Sequence, residues 1–307
     1  MRYVCDIIFI MNSLALSPED RVLVCGSTGF VGSRLLTELL KKNIRLRLLV
    51  RDQAKVLDIA SRHGDVEIFE GNLLSGSGLE EALRGIHSAY YLVHSMGGKS
   101  IFRNVEYAEK DKSAAENFIS AANKEDIKRV IYLGGLGEAR DELSEHLKSR
   151  AEIAQILSSG KPAATILRAA IIIGAGGASF EMLRYLVERL PVMTCPKWIE
   201  TRIQPIALKD VLAYLVGCLL NPQTAGHTFD IGGPEILTYR EMMQKYAEAR
   251  GLARRIIFTV PVLTPLLSAY WVDLVTPVPS GIAHPLIEGL KNEVVCKDNR
   301  IDEFIPI

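Results

Sequence analysis

From Arg21 onward, apolar positions follow two alternating periods along the chain. Short runs rich in β-branched and aromatic residues recur as "RVLVCG", "RLRLLV", "DVEIFEG", "SAYYLVH", "KRVIYLGG" and "AATILRAAIIIG", and they predict strands. Between them, "GFVGSRLLTELLKKN", "NVEYAEKDKSAAENFISAANK" and "SEHLKSRAEIAQIL" repeat apolar residues near every 3.6 positions and predict helices. Asn43 closes the first of these as a C-terminal cap. Strands alternating with helices imply an α/β fold with a parallel sheet covered on both faces, and right-handed crossovers fix its winding.

The pattern changes after Gly174. "SFEMLRYLVERL" and "KDVLAYLVGCLLN" predict helices, "HTFDIGG" a strand returning to the sheet, and "TYREMMQKYAEARG" a helix capped by Thr238. The stretch "MTCPKWIETRIQPIAL" reads as irregular. Phe258 to Leu290 is apolar and rich in proline; its prolines and Asp273 argue against a membrane helix and for a buried lid or substrate lobe. The division expected is residues 21–174 for the sheet domain with 203–233 returning to it, and 175–202 with 234–307 for a smaller C-terminal lobe.

Composition narrows the class. The 307 residues suffice for a substantial core, and 48% hydrophobic with 23% charged residues is an ordinary globular balance. A formal net charge of +0 gives no field for nucleic acid or anionic membrane. The five cysteines are scattered, with no CxxC pair, so neither a disulfide framework nor a metal site is expected, and a reducing, cytoplasmic compartment fits. Residues 1–20 read as an N-terminal extension; its apolar run from Ile7 to Met11 is far short of the ~20 residues of a membrane span, and Met11 fits as an alternative initiator.

Chemistry enters at "VLVCGSTGFVGSRLLTELL". Gly26, Gly29 and Gly32 form GxxGxxG between a strand and a helix, where glycine permits a tight turn, close approach of backbone to a pyrophosphate, and helix–strand packing. The helix N-terminus adds N–H donors and the positive dipole end. The second strand ends at Arg51, whose guanidinium suits a 2′-phosphate, so NADP(H) is favoured; Asp52 next to it keeps NAD(H) open.

With these residues the chain resembles the atypical extended short-chain dehydrogenase/reductases, in their NAD(P)H-binding, NmrA-like and nucleoside-sugar-epimerase-like branch. The likeness runs from Arg21 to Gly233 through "VLVCGSTGFVG", "EGNLLSGSGLEEALRGIHSAYYLVHS", "RVIYLGGLG", "ILRAAIIIG" and "QPIALKDVLAYLVGCLLNPQTAGHTFDIGG". It implies a Rossmann-type doubly wound parallel sheet with a smaller C-terminal substrate lobe. It implies that Thr28, Phe30 and Val31 line the pyrophosphate turn and that Asn72 and Leu73 flank the adenine, although the family usually has aspartate where Asn72 stands. Val93, His94 and Ser95 would approach the nicotinamide ribose, and Ala170, Ile171 and Ile172 the nicotinamide ring.

The family's catalytic Tyr-x-x-x-Lys is absent; its place on the helix after the fifth strand holds His146 and Arg150. Its catalytic serine is replaced by Gly134 and Gly135. In this Gly–His–Arg set, Arg150 would hold ribose hydroxyls and His146 would move a proton near neutral pH. His63, His87, His227 and His284 have no metal-ligand spacing and read as surface or capping residues. Two functions stay open: an oxidoreductase or epimerase-like enzyme acting on a hydrophobic small molecule such as a quinone, isoprenoid or pigment, or an NADP(H)-binding regulator or assembly factor without turnover. Relatives can carry a further C-terminal domain, which "RIDEFIPI" would then precede. The oligomeric state is not legible.

Overall fold

A computed structural model of the chain describes residues 13–94, 104–136, 145–260, 272 and 275–307, with side chains for all of these except 104–106, 145, 146 and 280. β1 (Arg21–Cys25) leads into α1 (Phe30–Lys41) and β2 (Arg45–Val50). α2 (Leu57–Arg62), β3 (Val66–Glu70), α3 (Leu79–Leu83), β4 (Ser88–Tyr91) and α4 (Asn104–Lys124) follow. β5 (Arg129–Gly135), α5 (Glu145–Ser158) and β6 (Ala163–Ala169) complete the first half. The expected strand and helix order therefore holds, and Asn43 takes the left-handed conformation (φ 55°) expected after a helix end.

Seven parallel strands form one sheet in the order β11-β6-β5-β4-β1-β2-β3, where β11 is Thr228–Ile231. Strand order reverses between β1 and β4, which opens a crevice at the C-terminal edge. On one face Leu35, Leu36 and Leu39 of α1 pack with Val211, Leu215 and Leu219 of α7 (Leu208–Leu220). On the other, Leu83, Phe118, Ile153 and Leu157 form a second core. Phe118 is a large fully buried ring, and burying such a side chain contributes about 1.5–3 kcal/mol.

Arg129 of β5 turns to the first face, toward the end of α7. Its Nη1 donates to the Leu219 carbonyl (3.1 Å), and its Nη2 donates to the Cys218 carbonyl (2.7 Å) and Thr224 Oγ1 (3.0 Å). A fully buried guanidinium thus caps the carbonyl end of α7, where the helix dipole favours a cation.

The run 163–174 was expected as one strand. The main sheet instead stops at Ala169, where its neighbours end at Gly135 and Ile231. Ile172–Ile173 form β7, which pairs with β10 (Ile206–Ala207). The stretch expected to be irregular contains β8 (Val192–Pro196) and β9 (Arg202–Ile203). β8 pairs in parallel with β13 (Ile256–Val260), from the edge of the apolar region, and each half-exposed two-stranded pairing gives too short an apolar pattern to read alone.

A third core holds the lobe: Met182, Leu186 and Val187 of α6 (Ala178–Arg189), Met242 and Met243 of α8 (Tyr239–Ala249), and Ala283 and Ile287 of α9 (Ser280–Gly289). α8 starts in a capping box: Glu241 N donates to Thr238 Oγ1 (3.1 Å) and Thr238 N donates to Glu241 Oε2 (2.7 Å). The chain's end returns to the sheet domain, where Ile301 and Ile305 of the segment around α10 (Ile301–Phe304) join the first core. Among the described residues, no helix is long and apolar enough to cross a membrane.

Candidate functional site

The three glycines of the turn after β1 do different work. Gly26 has φ +88°, and a Cβ there would lie 2.6 Å from the Leu92 carbonyl oxygen, so it fits the turn against the end of β4 at the switch point. A Cβ on Gly32 would come within 2.1 Å of the Gly26 carbonyl oxygen, so this glycine lets α1 sit on the turn. Gly29 has ordinary extended backbone angles and only one neighbour, the Gly26 oxygen at 3.3 Å from an added Cβ. It is the N-cap of α1, makes no side-chain cap, and is exposed, leaving the helix N-terminus open. Beside it Ser27 Oγ is buried without a hydrogen-bond partner among the described residues. An open helix N-terminus, an unfilled glycine cradle and an orphaned hydroxyl fit a pyrophosphate.

From this turn a cleft of about 450 Å³ runs along the C-terminal edge of the sheet into the lobe. Gly29, Phe30, Val31 and Gly32 line one end; His94, Arg150, Ala170 and Ile172 the middle; Met182, Tyr239, Leu286 and Leu290 belong to the lobe. Its size is that of a small-molecule site. Phe30 is held beneath the loop entering α6, where a Cβ on Gly177 would approach its ring to 2.8 Å. Arg34 clamps the same loop by donating to the carbonyls of Phe30 (2.8 Å) and Ala175 (2.7 Å).

The middle of the cleft contains a chain of three side chains. Arg150 Nε donates to His94 Nε2 at 3.1 Å, and His94 Nδ1 lies 2.8 Å from Asp111 Oδ2. Arg150 has no acceptor, so His94 Nε2 accepts and its proton sits on Nδ1, facing the carboxylate. Burial and the Arg150 guanidinium lower the His94 pKa to about 4 against the opposing pull of Asp111. His94 is therefore neutral at physiological pH and serves to orient Arg150. Asp111 was not among the expected residues. It sits in a helix otherwise dense with exposed charge, yet it shares a face with Ala114, Ala115, Phe118 and Ala122, a carboxylate within an apolar stripe. That misfit was the available signal.

Other expected residues lie elsewhere. Arg51 is exposed just past β2, while Asp52 is engaged locally, its Oδ1 accepting from Ala54 N at 3.1 Å. Thr28 is exposed on the turn and does not line the cleft. Asn72 Oδ1 accepts from Leu74 N (3.0 Å), Leu73 is buried in the second core, and neither reaches the cleft. Val93 packs against that core too, beside the cleft lining at Leu92 and His94. Ile171 is buried in the cleft wall. Ser95 lies outside the described residues, as does the His146 side chain; the backbone of His146 is in the first turn of α5. At the glycines expected in place of the family's serine, a Cβ on Gly134 would meet Tyr132 Cε1 at 2.8 Å, and one on Gly135 would meet Leu147 Cδ2 at 3.1 Å.

Residues 26–172 match the family model described as NAD(P)H-binding. Over these residues the chain is similar to the NAD(P)H-binding proteins of that family. Among curated relatives, subunit 9 of the NADH dehydrogenase [ubiquinone] 1 alpha subcomplex from Arabidopsis thaliana is 23% identical over 290 residues, covering 91% of this chain and 71% of that protein. Among solved structures, a nucleoside-diphosphate-sugar epimerase from Staphylococcus aureus superposes with a TM-score of 0.74 at 18% identity, covering 94% of this chain and 96% of that one. The Citrobacter sp. triphenylmethane reductase complexed with NADP(H) gives a TM-score of 0.72 at 17% identity, covering 94% and 95%. The structural likenesses fix the Rossmann-type fold.

Proposed function

We propose that the chain is an NADPH-dependent reductase of an apolar carbonyl- or quinone-type small molecule. The carrying observation is the continuous cleft, which joins the open α1 N-terminus to an apolar lobe wall through Arg150. In this reading the α1 N-terminus holds the pyrophosphate, Arg51 grips the 2′-phosphate, and Arg150, aimed by His94 and Asp111, holds the nicotinamide ribose. The local engagement of Asp52 supports Arg51 as the contact, and the NADP(H) bound by the Citrobacter reductase is in keeping with it. The nicotinamide, when bound, supplies the hydride. His94 stays neutral and keeps its proton toward Asp111, so it positions and does not donate into the cleft. His146 is proposed as the proton donor, with water as its alternative.

A second reading is cofactor binding without turnover. The Tyr132 ring against Gly134 favours it, as does the Arabidopsis relative, which is named as a subunit of a larger assembly. Titration of the chain with NADPH and NADH, followed by NADPH oxidation assays on apolar ketones and quinones, separates the two. Tight NADPH binding with oxidation supports the reductase. Tight binding with no oxidation of any acceptor leaves the non-turnover reading, and absence of binding refutes both.

A further inference from the structure

The lobe contributes one polar side chain to the cleft that the roles above leave unused. Tyr239 opens α8, is 2% exposed, and lines the cleft with Met182, Leu286 and Leu290. Among the described residues its Oη has no hydrogen-bond partner. Native folds rarely leave a buried hydroxyl unpaired, because the group loses its water and gains nothing in return. A water in its place needs two to four polar partners, and the side chains of Met182, Leu286 and Leu290 supply none. Burial also raises the phenol pKa well above its ordinary value, so Tyr239 is a protonated donor throughout the physiological range. The nearby Cys195 thiol is itself raised to about 11 by burial, and is neutral as well. The capping box at Thr238 and Glu241 is complete in itself, so α8 is held without the phenol.

We propose that Tyr239 is the specificity residue of the cleft: its hydroxyl donates a hydrogen bond to the oxygen of an apolar substrate that carries a carbonyl. The inference deepens the reductase reading and rests on the cleft being its substrate site. An otherwise apolar wall with one buried donor selects a hydrocarbon-like body with a single acceptor. A molecule without the acceptor leaves the phenol unpaired and is bound less well. This residue lies outside the helix and strand positions at which the family places its serine and tyrosine.

The test uses the full chain saturated with NADPH and two matched probe pairs, 9-fluorenone with fluorene and 2-acetylnaphthalene with 2-ethylnaphthalene, measured by calorimetry. The parent chain should bind each ketone about tenfold more tightly than its hydrocarbon, the size of one well-made hydrogen bond. Tyr239→Phe should erase that preference while hydrocarbon and NADPH affinities stay unchanged. The thermal midpoint of the unloaded variant should equal or exceed that of the parent, since an unpaired hydroxyl has been removed. Tyr239→Leu should erase the preference as well. A parent without ketone preference, a Tyr239→Phe chain that keeps it, or an equal loss for ketone and hydrocarbon would overturn the proposal. If NADPH fails to bind the parent, the cofactor reading falls separately, and ketone preference measured on the unloaded chain still decides Tyr239.

Discussion

The buried Asp111–His94–Arg150 chain makes stability depend on pH in a defined window. An unfolded histidine titrates near 6.5, whereas His94 in the fold titrates at about 4. Between these values the unfolded chain binds a proton that the folded chain refuses. Stability from this group is therefore fully present above about pH 6.5 and is lost as pH falls toward 4. At pH 5 the unfolded histidine is almost wholly protonated and the folded one almost wholly neutral. Two-site linkage with these values gives a loss of about 2 kcal/mol relative to pH 7.5, rising to about 3 kcal/mol at pH 4. His94→Gln is the appropriate perturbation. Its amide donates and accepts, so Asp111 and Arg150 keep neutral partners, but it cannot titrate. Urea unfolding of parent and variant at pH 7.5 and pH 5, with equal m-values, isolates the term, because all other titrating groups cancel in the difference. The parent should lose about 2 kcal/mol more than His94→Gln over that interval. Parallel losses in the two chains would refute the buried neutral histidine and with it the orientation assigned to Arg150.

Six further substitutions have expected outcomes. Gly29→Val should abolish NADPH binding in calorimetry yet cost only about 1 kcal/mol of stability, since Gly29 has valine-compatible angles; Gly26→Ala should unfold more readily, because its φ of +88° and the Leu92 oxygen at 2.6 Å both oppose a Cβ. Arg51→Ala should weaken NADPH roughly tenfold and leave NADH unchanged, an effect that shrinks with added salt. Arg150→Ala should weaken both cofactors alike, while His146→Phe should spare binding and remove turnover in NADPH oxidation assays. Arg129→Met should destabilise the fold by about 3 kcal/mol in urea, because the carbonyls of Cys218 and Leu219 lose their charged donor inside the core.

Most of the sheet was legible because a strand buried on both faces leaves a continuous apolar run. "RLRLLV" reads as Arg45–Val50 without a residue's error, and α4 spans Asn104–Lys124 as its period indicates. The lobe was less legible. β8 and β13 form a two-stranded ribbon that leaves Val192, Ile256 and Phe258 more than half exposed, so their apolar residues do not mark a buried face. The break between β6 and β7 escaped for another reason. Ala169 through Ile173 is one apolar run in sequence, and only the neighbouring strands' ends at Gly135 and Ile231 stop the ladder at Ala169.

The site divides along the same physical line. Residues whose role is set by backbone, such as Gly26 and Gly32, announce themselves in sequence because few other residues tolerate a positive φ or so close an approach. Arg150 was expected from its place on a helix, and it lines the cleft. What directs it was not, because His94 and Asp111 lie 56 and 39 positions away and meet it only when β4, α4 and α5 converge at one edge of the sheet. Tyr239 was hidden more deeply. At the head of α8 it keeps step with Met242, Met243 and Ala247, and in sequence a tyrosine in such a stripe reads as core. Only three dimensions show that its hydroxyl is unpaired and that the residue lines the cleft. At Gly134 a side chain would meet the Tyr132 ring, so sequence position alone does not show which groups face a ligand. The polar atoms left unsatisfied by the fold are the better guide.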